Sequence, residues 1–313
     1  MANYVKLSVL GHPALQTPYN DNLEEKVQEM IAYLRSKIEK VLPDHPDMIV
    51  LYEAVDRFPL FNQQQRKEYY KFRGEHILDF LREIAKENHC YIAYSAVRFL
   101  PKEKELPFRN STQIIDRYGK VVGIYDKNHL VPGELDVFEV AYGKEAPVFQ
   151  LDFGRVCCAI CFDLNYIELL EKYADQKPDL ILFSSQYHGG LMQQEWAYNC
   201  RSFFAGAICG DQSRILNPFG ETVATTTNYY DYVTGRINLD YAIVHLDNHI
   251  DKIDAAKKKY GELFQMYDPG HYGTVMLSYE GTDRNIKDIM REFEIITTDE
   301  YFDNCIKHRY EHI

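Results

Sequence analysis

No apolar run in this chain approaches the roughly 20 residues needed to cross a bilayer, so no membrane span is expected. The opening "MANYVKLSVLGHPAL" has neither a basic leader before a long apolar core nor a small-residue cleavage site, so secretion is not expected. No Ser/Gly-rich linker divides the sequence, and nothing repeats at a solenoid period. Positive charge is in deficit. Against 47 Asp and Glu there are 35 Lys and Arg, a net charge of −12, which argues against a nucleic-acid partner. A disulfide framework is also lacking, because the seven cysteines are odd in number and sit mostly in apolar runs, as reduced thiols do. A soluble, cytoplasmic protein is the expectation.

What is present is an ordered alternation. "VKLSVL" reads as a strand, and "NLEEKVQEMIAYLRSKIEKVL" carries Leu23, Val27, Met30, Ile31, Leu34, Ile38 and Val41 at helical spacing behind Asn22 as N-cap. "DMIVLYE" is a continuous apolar strand buried on both faces. One long helix is expected through "QQQRKEYYKFRGEHILDFLREIAKEN", then the strand "CYIAYSAV". The middle switches to hairpins around "DRYGK" and "DFG". "LNYIELLEKYA" and "LMQQEWAYNCRSFFAG" follow as helices around the strand "DLILFSS", and Trp196, Phe203 and Phe204 read as helical core residues. Helices outside a body of strands predict an α+β sandwich of two stacked sheets. Residues 1–247 form the expected main domain, with 248–313 as a C-terminal extension of helix and then irregular chain.

Chemistry concentrates in "RVCCAICFD". Strand alternation puts Cys158 and Cys161 on opposite faces, which is poor geometry for chelation, and no second ligand pair lies nearby. Cys157 and Cys158 read as small buried hydrophobes. Cys161 ends the strand before a helix that Asp163 would cap, a position where backbone N–H groups stabilise a thiolate or an adjacent oxyanion. Taken alone it fits a nucleophile and a buried thiol equally. Two other charged points matter. Glu53 finishes the strand "DMIVLYE", and "YDKNHLVPGELDVF" brings Lys127, His129 and Glu134 together after a hairpin.

Glu at a strand end, then K-x-H-L-x-P-x-x-E, then C-x-D resembles the nitrilase (carbon–nitrogen hydrolase) superfamily, from "VKLSVL" to about "YAIVHLD". "QSRILNPFGETVAT" looks like the same family's S-x-I-x-x-P-x-G hairpin. The resemblance implies a four-layer α-β-β-α sandwich of two mixed sheets with outer helices, and a Glu53–Lys127–Cys161 triad. It further implies a structuring Glu134, an oxyanion contact from the Phe162 backbone N–H, and no metal or organic cofactor. The activity implied is cleavage of a small amide through a thioester on Cys161. Carbamoyl hydrolysis, acyl transfer and a non-enzymatic binding role remain alternatives. Tyr52 stands where the family usually has proline. Some carbamoyl-amino-acid hydrolases place arginines where this chain has Asn165 and Tyr166; the pattern C-x-D-x-N-Y-x-E instead looks like aliphatic amidases and formamidases. Asn165, Tyr187 and His188 are candidate substrate contacts, and a Cys161–His188 thiol hydrolase is the competing enzyme. By the same resemblance a homodimer or larger homo-oligomer is expected, with the C-terminal segment as a possible arm.

Overall fold

The computed structural model describes residues 1–313 and divides into two compact units, Lys6–Arg236 and a smaller one made of Met1–Val5 with Ile237–Ile313.

The larger unit starts with β1 (Tyr4–Leu10), α1 (Leu23–Ile38), β2 (Met48–Leu51), α2 (Gln63–Arg73), α3 (His76–Glu87), β3 (Tyr91–Phe99), β4 (Phe108–Ile115) and β5 (Val121–Asp126). It continues with α4 (Pro132–Asp136), β6 (Val148–Gln150), β7 (Arg155–Ile160), α5 (Ile167–Gln176), β8 (Leu180–Ser185) and α6 (Leu191–Cys200). It ends with β9 (Phe203–Ile208), β10 (Arg214–Leu216), β11 (Thr222–Thr225) and β12 (Tyr232–Asn238). Two six-stranded sheets result, ordered β12-β1-β2-β3-β4-β5 and β11-β10-β9-β8-β7-β6. Each has a parallel centre, β1-β2-β3 in one and β7-β8-β9 in the other, flanked by antiparallel strands. β2 faces β8 and β9, and β4 faces β7, while α1 to α3 cover one sheet and α5 and α6 the other. The architecture is the expected α+β sandwich of four layers.

The sequence dictates this locally. Every residue of β2 and β8 is buried, as strands between two covered faces must be. Val27, Met30, Leu34 and Ile38 form the buried stripe of α1, and the Asn22 side chain accepts from the Glu25 N–H at its start. Removing each such large side chain from water is worth about 1.5–3 kcal/mol.

Three local expectations need correction. The long helix after residue 62 is two helices, α2 and α3, broken at Gly74 with φ +47°. Arg73, at the end of α2, is fully buried against Asp56 at 3.0 Å, and the chain turns through a left-handed residue that only glycine adopts cheaply. Phe203 and Phe204 are buried, but they lie on β9, because α6 ends at Cys200 and Arg201 takes φ +55°. Asp163 is not the N-cap of α5. It lies in a 3₁₀ turn over Cys161–Asn165, and α5 begins after Tyr166 with no side-chain cap.

The smaller unit contains β13 (Tyr241–His245), α7 (Ile250–Tyr260), β14 (Phe264–Tyr267), β15 (Thr274–Tyr279), α8 (Ile286–Glu292) and α9 (Thr298–Tyr310). Its antiparallel sheet, β13-β15-β14, buries Val244, Phe264, Val275 and Leu277 with Ile253 of α7 and Ile289 of α8. The tail after α7 is therefore ordered sheet and helix with its own core, where irregular chain was expected. That core takes in β13, which precedes the 247/248 boundary drawn from the sequence. No helix of the chain is long and apolar enough to cross a membrane.

Candidate active site

The C-terminal ends of parallel strands face the same way, so residues just past them gather at one edge. Glu53 follows β2, Cys161 follows β7 and Gln186 follows β8, while Lys127 follows the antiparallel strand β5. The Ser184 hydroxyl of β8 donates to the Leu51 carbonyl of β2 at 2.7 Å, fixing one sheet against the other just before the functional residues emerge. Together they line a cavity of about 310 Å³, with Glu134, Asn110 and Arg57 in its walls.

Lys127 is the centre of charge. Its Nζ donates to Glu53 Oε1 at 2.9 Å and to Glu134 Oε2 at 2.7 Å. Asn110 Nδ2 donates to the same two carboxylates at 2.8 Å each, closing a ring. Glu134 is held further by the Val131 N–H at 3.0 Å. The second Glu53 oxygen accepts from the Gln186 backbone N–H at 3.2 Å, and Gln186 Nε2 donates to the Glu53 carbonyl at 2.5 Å. Gly143 donates its N–H to the Lys127 carbonyl; a Cβ there would lie 2.0 Å from the Asp126 carbonyl oxygen, so this approach requires glycine.

Electrostatics separates the three groups. Burial alone would raise the Glu53 carboxyl, but the Lys127 charge and the hydrogen bonds from Lys127, Asn110 and Cys161 outweigh it, leaving the carboxyl below its ordinary value. Lys127 loses hydration but gains two carboxylates, and its ammonium is held well above the ordinary lysine value. Burial pushes the Cys161 thiol up to about 12, with Glu53 adding to the rise and Lys127 opposing it. The cavity thus favours a charged Glu53–Lys127 pair and disfavours a free thiolate at Cys161. Cys161 has φ +50° and Ala54, beside Glu53, has φ +47°. Non-glycine residues in that region cost of order ~1–3 kcal/mol, and such strain clusters at functional sites.

A second polar cluster lies behind Cys161. Asp163, fully buried, accepts from the Ile160 N–H at 3.0 Å, the Tyr125 hydroxyl at 2.6 Å and the His129 N–H at 2.8 Å. The His129 ring bridges Asp163 and Glu168 and stacks on Tyr166 at 3.8 Å. Asp163 thus clamps the turn carrying Cys161 and Phe162 to the loop after β5. Cys157 and Cys158 are fully buried.

The candidate substrate contacts sit beside this cavity, with Tyr187 near enough to feel the charges of Cys161 and Lys127. Asn165 Nδ2 donates to the Tyr187 hydroxyl and to the Phe162 carbonyl, both at 3.1 Å, and His188 Nδ1 accepts from the Gly190 N–H. None of Asn165, Tyr187 and His188 is in the cavity wall, and His188 makes no contact with Cys161 that would serve a thiol–imidazole pair. Asn110, Gln186 and Arg57 were missed by sequence reasoning. Tyr52, in the place of the family's proline, is fully buried with its ring edge-on to His12.

The carbon–nitrogen hydrolase family model matches residues 14–243. Omega-amidase NIT2-B of Xenopus laevis is 23% identical over 58% of this chain and 75% of its own length. The chloroplastic omega-amidase of Arabidopsis thaliana is 25% identical over 51% of this chain, which spans only 48% of that relative. Human omega-amidase NIT2 is 25% identical over 46% of this chain and 60% of its own length. Among solved structures, the C. elegans NitFhit protein superposes with a TM-score of 0.64 at 19% identity, over 83% of this chain and 65% of that one. An amidase from Nesterenkonia sp. gives 0.63 at 15% identity, over 75% and 90%. A mutant of that amidase carries the acetamide moiety of fluoroacetamide added covalently at its active-site cysteine (TM-score 0.61, 14% identity, 75% and 90% covered). With the family model matching well over half its length, this chain belongs to the carbon–nitrogen hydrolase family.

Proposed function

We propose that this protein hydrolyses the C–N bond of a small amide, with Cys161 as nucleophile, Glu53 as proton carrier and Lys127 as oxyanion stabiliser. The observation that carries the reading is that these three groups, from three strand ends, line one cavity with Lys127 Nζ 2.9 Å from Glu53 Oε1. An amide carbonyl is a poor electrophile and a thiol a weaker nucleophile than its thiolate, so the proton must leave sulfur as the bond to carbon forms. Glu53 takes that proton. An ammonium has three N–H donors; Lys127 gives two to Glu53 and Glu134 and turns the third to the carbonyl oxygen as it becomes an oxyanion. The Phe162 backbone N–H is the second donor proposed for that oxygen.

Collapse of the tetrahedral intermediate breaks the C–N bond, and Glu53 returns its proton to the leaving nitrogen. The acyl group stays on Cys161 as a thioester. Water then attacks; Glu53 takes a proton from it and passes it to sulfur as the C–S bond breaks. Glu134 and Asn110 keep Lys127 and Glu53 from moving apart between the half-reactions. The likeness to proteins named omega-amidases, and to an amidase alkylated at its cysteine, supports amides ahead of nitriles.

Ammonia release from a panel of primary amides, carbamoyl compounds and nitriles tests this. Turnover of at least one amide, absent in Cys161→Ala, is expected; no release from any amide, or release undiminished in Cys161→Ala, overturns it.

A further inference from the structure

The last helix, α9, lies beyond residues 14–243 that the family model matches, and it is anchored in the smaller unit by its first turn. Thr298 is buried there. The Tyr301 ring stacks on His245 at 4.4 Å and its hydroxyl donates to Asp247, while Phe302 meets the same imidazole edge-on at 5.7 Å. From Phe302 to Ile313 every residue is exposed. A helix of 13 residues is marginal in water, and in proteins such helices are held by packing of one apolar face.

That face exists and is uncovered. At 3.6 residues per turn Phe302, Ile306, Tyr310 and Ile313 fall in one stripe, and they are 40%, 54%, 65% and 81% exposed. A single exposed apolar side chain is ordinary; four in a row on a projecting helix mark a contact surface. Charge is segregated along the same helix. Asp299 and Glu300 stand in the first turn and Asp303 follows, whereas Lys307, His308 and Arg309 stand in the last turn. A stripe built for an anionic membrane surface is flanked by Lys and Arg in excess; residues 297–313 hold four Asp and Glu against two Lys and Arg.

We propose that α9 is a pairing helix that docks antiparallel on the α9 of a second copy of this chain. Ile306 meets the partner's Ile306 at the two-fold axis, and Phe302 lies level with the partner's Tyr310. Reversing the second helix sets the acidic half beside the basic half twice over, where a parallel pair would set like against like. Asp303 and Lys307 lie on the same edge of the stripe, so each Asp303 comes beside the partner's Lys307. Within one chain Lys307 is 4.0 Å from Glu311, a loose pair that leaves its ammonium available. The pattern is thus self-complementary, which is what selects a second copy as the occupant.

The test uses the full chain in a Cys305→Ser background. Under mild oxidation Ile306→Cys is expected to form a disulfide-linked dimer on a non-reducing gel, and Asn304→Cys, on the opposite side of α9, about 10-fold less. Adding Asp303→Lys or Lys307→Asp to Ile306→Cys should lower that yield by about 10-fold, because two symmetric contacts turn repulsive together. The double exchange Asp303→Lys/Lys307→Asp should restore it, and so should mixing the two single variants. Residues 303–307 are all exposed, so none of these changes removes a core side chain. No dimer through position 306, equal cross-linking at 304, or a loss that neither the double exchange nor mixing recovers overturns the inference. Binding of the chain to phosphatidylserine vesicles that Ile306→Asp abolishes also overturns it, by assigning the stripe to a membrane surface.

Discussion

Two buried carboxylates flank Cys161, and their surroundings differ. Glu53 shares Lys127 with Glu134 and lines the cavity; Asp163 accepts from Ile160, Tyr125 and His129 and is not in that cavity's wall. Both are hydrogen-bonded on each oxygen, so burial and partner count do not tell them apart. Access does. Every bond to Asp163 runs to a group that holds the 3₁₀ turn in place, whereas the Glu53 carboxylate has the Cys161 thiol as a neighbour and open volume beside it. One cluster is suited to moving a proton, the other to fixing the atom that the proton leaves. A perturbed carboxylate is a candidate for chemistry only when a reacting group can reach it.

That contrast can be broken in order of expected size. Glu53→Gln keeps the acceptor for Lys127 and Asn110 but removes the base; kcat/KM for an amide should fall about 10²–10⁴-fold with the chevron of unfolding nearly unchanged. The pH profile should agree. Because the Glu53 carboxyl is held below its ordinary value, it stays ionised through neutrality, so activity should be flat there and fall only on the acid side as Glu53 is protonated. A limb near the histidine range would transfer the base role away from Glu53.

Asp163→Asn should act through stability. Removing a charged acceptor from a buried network costs about 1–3 kcal/mol, readable as a shifted urea midpoint, with activity falling in proportion to the folded fraction plus any displacement of Cys161. The pH signs of the two clusters also oppose each other. The lowered Glu53 carboxyl adds stability above its unfolded pKa, lost as pH falls through the folded value. For His129, burial lowers the pKa but Asp163 and Glu168 more than restore it. Its contribution is present below the unfolded pKa and lost as pH rises through the raised one. Replacing His129 with Asn should flatten the alkaline side alone. The smallest effect is expected from His188→Ala: stability within about ±0.5 kcal/mol and turnover retained, against the large loss that a Cys161–His188 pair would require.

Much of the frame was legible because it is written in local pattern. The continuous apolar run of β2, the stripe of α1 and the turn residues of the β4–β5 and β6–β7 hairpins each point to one structure. Glu53, Lys127, Glu134 and Cys161 each terminate or follow such an element, but it is the resemblance of the three ordered motifs to the nitrilase superfamily that singles them out together. Asn110 and Gln186 were missed, because a polar residue at the middle of β4 or just past β8 looks in sequence like any strand residue meeting water. Only the pairing of two sheets brings them to Glu53. Asp163 was misread for a related reason. An Asp before an apolar periodic run reads as an N-cap, and nothing local announces that Tyr125 and His129, more than thirty residues earlier, claim its oxygens. In the sheet of the smaller unit, β14 and β15 were overlooked because these strands, four and six residues long, are interrupted by polar turns.

The central claim is that sulfur, carboxylate and ammonium act on one scissile bond through an acyl-sulfur intermediate. The most direct measurement is peptide-mapped mass spectrometry of the protein acid-quenched during turnover of an activated acyl ester, which acylates faster than it is hydrolysed. The account predicts the acyl mass on the peptide containing Cys161, absent from the other six thiols and strongly reduced in Glu53→Gln. Hydrolysis proceeding with no acyl mass on Cys161, or with the label on another residue, would contradict it.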